Sequence, residues 1–164
     1  MIIMGVDPGY ATMGYGIVEK RGNSFKPLTY GVITTKPDTE TAERLKIIYH
    51  GLLDLIDEYQ PEVMAVEDLF FNKNVKTAIK VGQARGVIML AGANKGLPVH
   101  EYTPLQVKQG VVGYGRASKM QVRQMVKTLL NLRKIPKKAD SADALAIAIC
   151  HGHSSRMINK LGGY

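Results

Sequence analysis

The amino-acid sequence predicts an α/β fold built on a sheet of short, largely buried strands. Three observations carry this expectation. Brief apolar runs at Ile2 to Val6 and Val63 to Val66 each end on an acid, Asp7 and Glu67. Longer segments with apolar residues at helical spacing lie between and after them. The chain has 164 residues, 45% hydrophobic and 22% charged, a composition that excludes disordered and low-complexity classes and suffices for a real core. No internal repeat or Pro/Ser-rich linker interrupts it, so one domain over residues 1–164 is expected.

The elements follow in order. Ile2 to Val6 reads as a strand that ends at Asp7-Pro8-Gly9, where proline fixes φ and glycine permits a sharp turn. Gly14 to Glu19 and Phe25 to Thr34 read as two further strands joined by a hairpin at Arg21-Gly22-Asn23-Ser24, which makes the first three strands an antiparallel meander. Glu40 to Tyr59 places Leu45, Ile48, Leu52, Leu55 and Ile56 on one helical face and stops before Pro61. Val63 to Val66 is a fourth strand. Asn74 to Asn94 reads as a helix whose Gly82, Gly86 and Gly92 suggest close packing against a sheet or a partner helix. Pro98 to Tyr102 is a fifth strand. Thr103 to Gln106 has the capping-box spacing with proline at the first helical position, so a short helix runs from there to about Gly110. Ser118 and Gln121 repeat that spacing at the head of a helix that turns Val122, Met125, Val126, Leu129 and Leu130 inward and carries Lys119, Arg123 and Lys127 along its edge. A basic loop, Arg133 to Lys138, precedes a last helix expected from Asp140 to His151, with Gly152 as its stop.

The longest mostly apolar stretch, Val87 to Ala93, is far below the roughly 20 residues of a membrane span. Asp7 comes too early for a signal-peptide core, and Cys150 is the sole cysteine. Both fit a cytoplasmic protein without a disulfide or a cysteine-based zinc site. Charge is unevenly distributed: residues 1–70 hold six basic and eleven acidic side chains, residues 71–164 sixteen basic and three acidic. The second half therefore suits a polyanionic partner such as nucleic acid. Its three acids, Glu101, Asp140 and Asp143, would weaken such binding and need another reason to be there.

Asp140 and Asp143, three apart, leave one face near a helix start, where aspartates also serve as caps. Asp7 and Glu67 lie at the carboxyl ends of strands, where α/β sheets build their sites. Four carboxylates converging on one rim repel one another and must protonate, separate or bind cations. All-oxygen ligands select hard cations, Mg2+ beside phosphate with Mn2+ as substitute, and two such ions would support phosphodiester hydrolysis. His151 and His153 are expected to serve the helix dipole and solvent rather than a metal.

The ordered set MGVDPGYATMGYG, VMAVEDLFF, KVGQARG, LQVKQGVVGYGRASKMQV and ADSADALAIAICH resembles the RuvC-type Holliday junction endonucleases from Met1 to His153. The resemblance implies a ribonuclease-H-like fold, a five-stranded mixed sheet with an antiparallel meander flanked by helices. It implies a homodimer that cuts two symmetric strands of a four-way DNA junction, in recombination and repair, with branch-migration proteins RuvA and RuvB as partners. Carried over residue by residue, the catalytic and metal-binding acids fall on Asp7, Glu67, Asp140 and Asp143, the basic residues near the scissile phosphate on Lys108 and Lys119, and the junction-facing aromatic on Phe70. Phe71 is an added aromatic and Asp68 an added acid outside that pattern. Phe70 and Phe71 with the Asn72-Lys73-Asn74 turn suit stacking on unpaired bases, Phe71 being the ring expected in the core. Candidate DNA contacts besides these are Lys73, Lys76, Lys108, Arg116, Lys119 and Arg123.

Two other classes fit parts of the sequence. An actin-like nucleotide-binding ATPase shares a strand and turn like Asp7-Pro8-Gly9, but that fold needs two related halves and this chain supplies one. A catalytically silent DNA-binding protein would use the acids as caps and the lysines for affinity.

Overall fold

The computed structural model describes residues 1–68 and 74–160, with side chains through Ser155. Its sheet is formed by β1 (Ile2–Asp7), β2 (Thr12–Arg21), β3 (Ser24–Thr34), β4 (Val63–Glu67) and β5 (Val99–Tyr102) in the order β3-β2-β1-β4-β5. β1, β2 and β3 pair antiparallel as the hairpin signals require, whereas β4 lies parallel to both β1 and β5. Pro27 is tolerated because β3 is an edge strand with an irregularity opposite it at Ile17/Val18.

Side chains alternate between the two faces of a strand, and this decides where the acids point. Met4, Val6, Met13, Ile17, Met64 and Val66 face one layer, α1 (Thr41–Tyr59) and α2 (Val75–Asn94), where Ile48, Leu52, Ile56, Ala84 and Ile88 are buried. Ile3, Val18, Val63 and Ala65 face the other layer, α3 (Pro104–Val112), α4 (Lys119–Leu129) and α5 (Ala139–Lys160). Asp7 shares the parity of Ile3, and Glu67 that of Val63 and Ala65. Both carboxylates therefore leave adjacent parallel strands toward α5, one step beyond the Val6–Val66 pair.

The inner helix α5 is apolar nearly all round, Ala142 to Cys150 being buried except Asp143, because sheet and helices α3 and α4 cover it from both sides. It lies unusually close to the strands. A Cβ on Gly14 would stand 2.0 Å from the Asp140 carbonyl oxygen, one on Gly5 2.1 Å from that of Ala144, and one on Gly16 2.7 Å from Leu145 Cδ2. Gly5 pairs with Gly16 and Asp7 with Gly14 across the β1–β2 ladder, so the three glycines form one bare patch under the first turns of the helix.

Most elements agree with the sequence reading to within a few residues, and three details differ. Gly152 does not stop the last helix: α5 continues to Lys160, and Gly152 is buried where a Cβ would meet the Phe25 ring at 2.4 Å, so a side chain is excluded by packing rather than by a turn. His151 is not a solvent residue: it is buried, its Nδ1 lies 2.7 Å from the Tyr102 hydroxyl, its ring lies 4.9 Å from that of His100, and burial, then His100 and Lys20, pushes its pKa down to about 4. Gly82 and Gly86 do not pack on the sheet; both open outward, and only Gly92 of the three meets sheet side chains, Val99 and Met64.

Gly14→Ala is expected to destabilise the fold by roughly 3 kcal/mol or more, beyond ordinary overpacking because the clash is with backbone. Urea unfolding measures this; a loss below about 1 kcal/mol would mean that α5 is free to shift.

Candidate active site

Three local devices deliver side chains to the carboxyl edge of β1 and β4. The strands supply Asp7 and Glu67. The first turns of α5 supply Asp140, and Asp143 one turn later, with the Ser141 hydroxyl donating 2.7 Å to the Lys138 carbonyl. Two capping boxes fix the remaining walls. Thr103 Oγ1 accepts from Gln106 N at 3.2 Å and Thr103 N donates to Gln106 Oε1 at 2.9 Å, which starts α3 just after β5 and presents Lys108 one turn on. Ser118 and Gln121 do the same at 3.1 and 2.7 Å, placing Lys119 at the first position of α4.

The result is one cleft of about 300 Å³ lined by Asp7, Glu67, Asp140, Asp143, Lys108 and Lys119, with Pro104, Val107, Val122 and Ala146 as apolar wall. Asp7 is 9% exposed at its floor. Its pKa rises to about 8, through burial first and then the charges of Glu67, Asp143 and Asp140. Glu67 is raised as well, by burial and by Asp143, while a hydrogen bond with Asp7 and the charge of Lys119 pull it back. The carboxyl pair thus shares a proton that resides on Asp7 and is donated to Glu67.

Asp143 is neutralised differently. Arg123 approaches it with Nε and Nη2 at 3.3 Å from Oδ1, and Lys119 Nζ stands 3.8 Å from Oδ2. Arg123, a candidate DNA contact on the edge of this helix, is thus turned toward the carboxylate; the four-residue spacing from Lys119 was the signal, since both then reach the same side of the cleft. Among the described residues no three acidic, His or Cys side chains already stand grouped closely enough to enclose an ion.

The sequence left Asp68 and Glu101 unexplained. Both bind Arg85 of α2, Asp68 Oδ1 accepting from Nη2 at 3.2 Å and Glu101 forming a close ion pair. Asp68 therefore faces α2 and lies outside the cleft lining. Lys76 lies in a separate shallow groove with Thr41, Thr77 and Lys80, and Arg116 is exposed on the loop between α3 and α4; neither lines the cleft. Phe70, Phe71 and Lys73 lie outside the described residues.

Residues 3–151 match the family model described as crossover junction endodeoxyribonuclease RuvC. The chain belongs to the RuvC family. It is 58% identical over 162 residues to the crossover junction endodeoxyribonuclease RuvC of Caldanaerobacter subterraneus subsp. tengcongensis and 60% identical over 162 residues to that of Halothermothrix orenii, in each case over 99% of this chain and 98% of the relative. Among solved structures it is similar to Thermus thermophilus RuvC, with a TM-score of 0.89, 38% identity and 96% of each chain covered. T. thermophilus RuvC in complex with Holliday junction substrate matches at the same TM-score and coverage with 35% identity. A yeast mitochondrial Holliday junction resolvase, at 11% identity and a TM-score of 0.70 over 96% of this chain and 80% of that one, shares the fold. The five-stranded mixed sheet flanked by helices is the ribonuclease-H-like arrangement that the RuvC resemblance implies.

The shared proton has a consequence for stability. Asp7 keeps its proton up to about pH 8 in the folded chain, against an ordinary value of 3.8. Across that window the folded state binds more protons than the unfolded one, so without divalent cation stability falls as pH rises from about 4 to about 8. Thermal unfolding in a chelating buffer is expected to show this slope in the wild type and its loss in Asp7→Asn. Parallel pH profiles for the two proteins would contradict the shared proton.

Proposed function

We propose that this RuvC-family chain is a structure-selective endonuclease that resolves four-way DNA junctions by hydrolysing one phosphodiester in each of two symmetric strands. The observation that carries the reading is the single cleft in which four carboxylates from β1, β4 and α5 are flanked by Lys108 and Lys119. A silent DNA-binding protein has no need of four acids gathered in one cleft beside two lysines. Family membership supports the same activity.

The donor set fits a hard divalent cation, Mg2+ with Mn2+ as substitute, because every available ligand atom is a carboxylate oxygen. The raised pKa of Asp7 reports the crowded negative charge that a cation would relieve. Asp7, Glu67, Asp140 and Asp143 would hold the ions, two per site, whose contribution is Lewis-acid activation of water and of the phosphodiester. The chain's own residues do the rest. Asp7 gives up its proton on loading. Lys119, exposed at the mouth, and half-buried Lys108 bind the phosphate oxygens and orient the strand. Pro104, Val107 and Val122 limit water on one wall. In-line attack of water at phosphorus breaks the bond to the 3′ oxygen, leaving a 5′-phosphate and a 3′-hydroxyl. Phe70 is assigned to stacking on unpaired bases, with Lys73, Lys76 and Arg116 as further DNA contacts.

Paired cleavage requires two copies. On α2, Val75, Ile79 and Leu90 are 76%, 57% and 53% exposed, and Gly82 and Gly86 between them open outward. Residues 75, 79, 82, 86 and 90 follow one another at gaps of four, three, four and four, so they share one helix face of the kind that pairs with a second helix. We assign this face to a two-fold homodimer. Branch-migration proteins of the RuvA and RuvB type would deliver the junction in the cytoplasm to this one-domain nuclease. Among the described residues no helix is long and apolar enough to cross a membrane.

On a synthetic mobile junction with Mg2+, Asp7→Asn is expected to lower cleavage roughly a thousandfold or more, the rate equivalent of about 4 kcal/mol, while retaining junction binding in a gel-shift assay. Unimpaired cleavage would remove the nuclease assignment. Lys119→Ala should slow cleavage about 10- to 100-fold through lost phosphate positioning, and a wild-type rate would return that lysine to the solvated surface. Ile79→Glu should shift the chain from dimer to monomer in sedimentation velocity; a dimer that persists unchanged places the interface elsewhere.

A further inference from the structure

Arg123 and Lys119 stand one turn apart on α4 and both reach Asp143, yet they are not equivalent. Lys119 is 77% exposed and touches one oxygen loosely, at 3.8 Å. Arg123 is 20% exposed and forks over both oxygens, with Nε and Nη2 at 3.3 Å from Oδ1 and Nη2 at 3.4 Å from Oδ2. A guanidinium engaged in this way offers that edge to no phosphate, and the planar fork fixes the carboxylate's direction as well as balancing its charge.

We propose that Arg123 is the built-in counter-ion of Asp143: it holds this carboxylate in the ion-free protein and sets the divalent-cation concentration at which the cleft loads. The inference rests on the reading of Asp7, Glu67, Asp140 and Asp143 as a cation site. Two physical effects act in the same direction. A permanent positive charge beside the cleft repels an incoming cation, and the oxygens of Asp143 must be turned from the guanidinium before they can serve as ligands. Loading is thus an exchange of one cation for another on Asp143. The four acids supply the ligands, and this arginine adds a threshold to their loading.

The test is Mn2+ binding to the full chain without DNA, followed by the electron paramagnetic resonance signal of free Mn2+, so that neither cleavage nor junction affinity enters. Arg123→Gln removes the charge and is expected to bind Mn2+ about tenfold more tightly than the wild type. Arg123→Met, which occupies similar space without charge, repeats the measurement if the glutamine variant does not fold. Arg123→Lys keeps the charge and should stay within about twofold of the wild type. Neutral variants that bind no more tightly than the wild type, or a lysine variant that tightens as much as they do, overturn the proposal. A wild-type chain that binds no Mn2+ at all overturns the cation site itself, which separates that failure from the failure of the arginine threshold.

Discussion

The close approach of α5 to the β1–β2 ladder is the constraint on which the site depends. Gly5, Gly14 and Gly16 present bare backbone where any other residue would place a Cβ against the helix, and Ala144 and Ala148 continue the contact from the helix side. Because Gly14 is the ladder partner of Asp7, the one glycine that meets the Asp140 backbone also fixes the distance between the strand acid and the helix acids. A helix seated an ordinary side chain's width further out would leave Asp7 at the sheet edge and Asp140 and Asp143 as surface residues of a helix start. The packing of small residues is therefore the cause of the electrostatics.

Once brought together, the four carboxylates cannot all remain bare, and the protein answers in two ways. At the floor Asp7 retains a proton and shares it with Glu67; at the rim Arg123 and Lys119 bring positive charge to Asp143. Both are reversible, and both can be replaced by the same agent, a hard cation with oxygen preference. The three acids of the basic half are accounted for in the same way. Asp140 and Asp143 belong to the cleft, and Glu101 is neutralised by Arg85.

The two faces of the sheet carry separate duties. The acidic cleft opens on the α3–α4–α5 face, while the α1–α2 face is buried by large aliphatic side chains and ends in an outward apolar stripe on α2. The faces communicate where Arg85 of α2 holds Asp68, the residue after Glu67, together with Glu101 of β5. That clamp ties the end of β4 and the middle of β5 to α2.

Strand identity, both capping boxes, the meander and the positions of the four acids at strand tips and a helix start were legible in the sequence, because each rests on local rules: alternation, helical spacing and a side chain reaching its own helix start. Lys108 and Lys119 were marked out by the RuvC resemblance alone. Two readings failed for one shared reason. Gly152 and His151 were judged from their neighbours along the chain, whereas their environments are set by residues far away: Phe25 against Gly152, and Tyr102 and His100 against His151. For Gly82 and Gly86 the sheet alternative is removed, since both face open space. The partners of Arg123, Asp68 and Glu101 were hidden likewise, since an ion pair between separate elements leaves no periodic trace. Composition and spacing by themselves determined which residues are available for cation chemistry and at which strand tip or helix start each one lies. Only the tertiary structure decided which carboxylate keeps a proton and which takes an arginine, because burial and distance between elements, rather than residue type, set those charges.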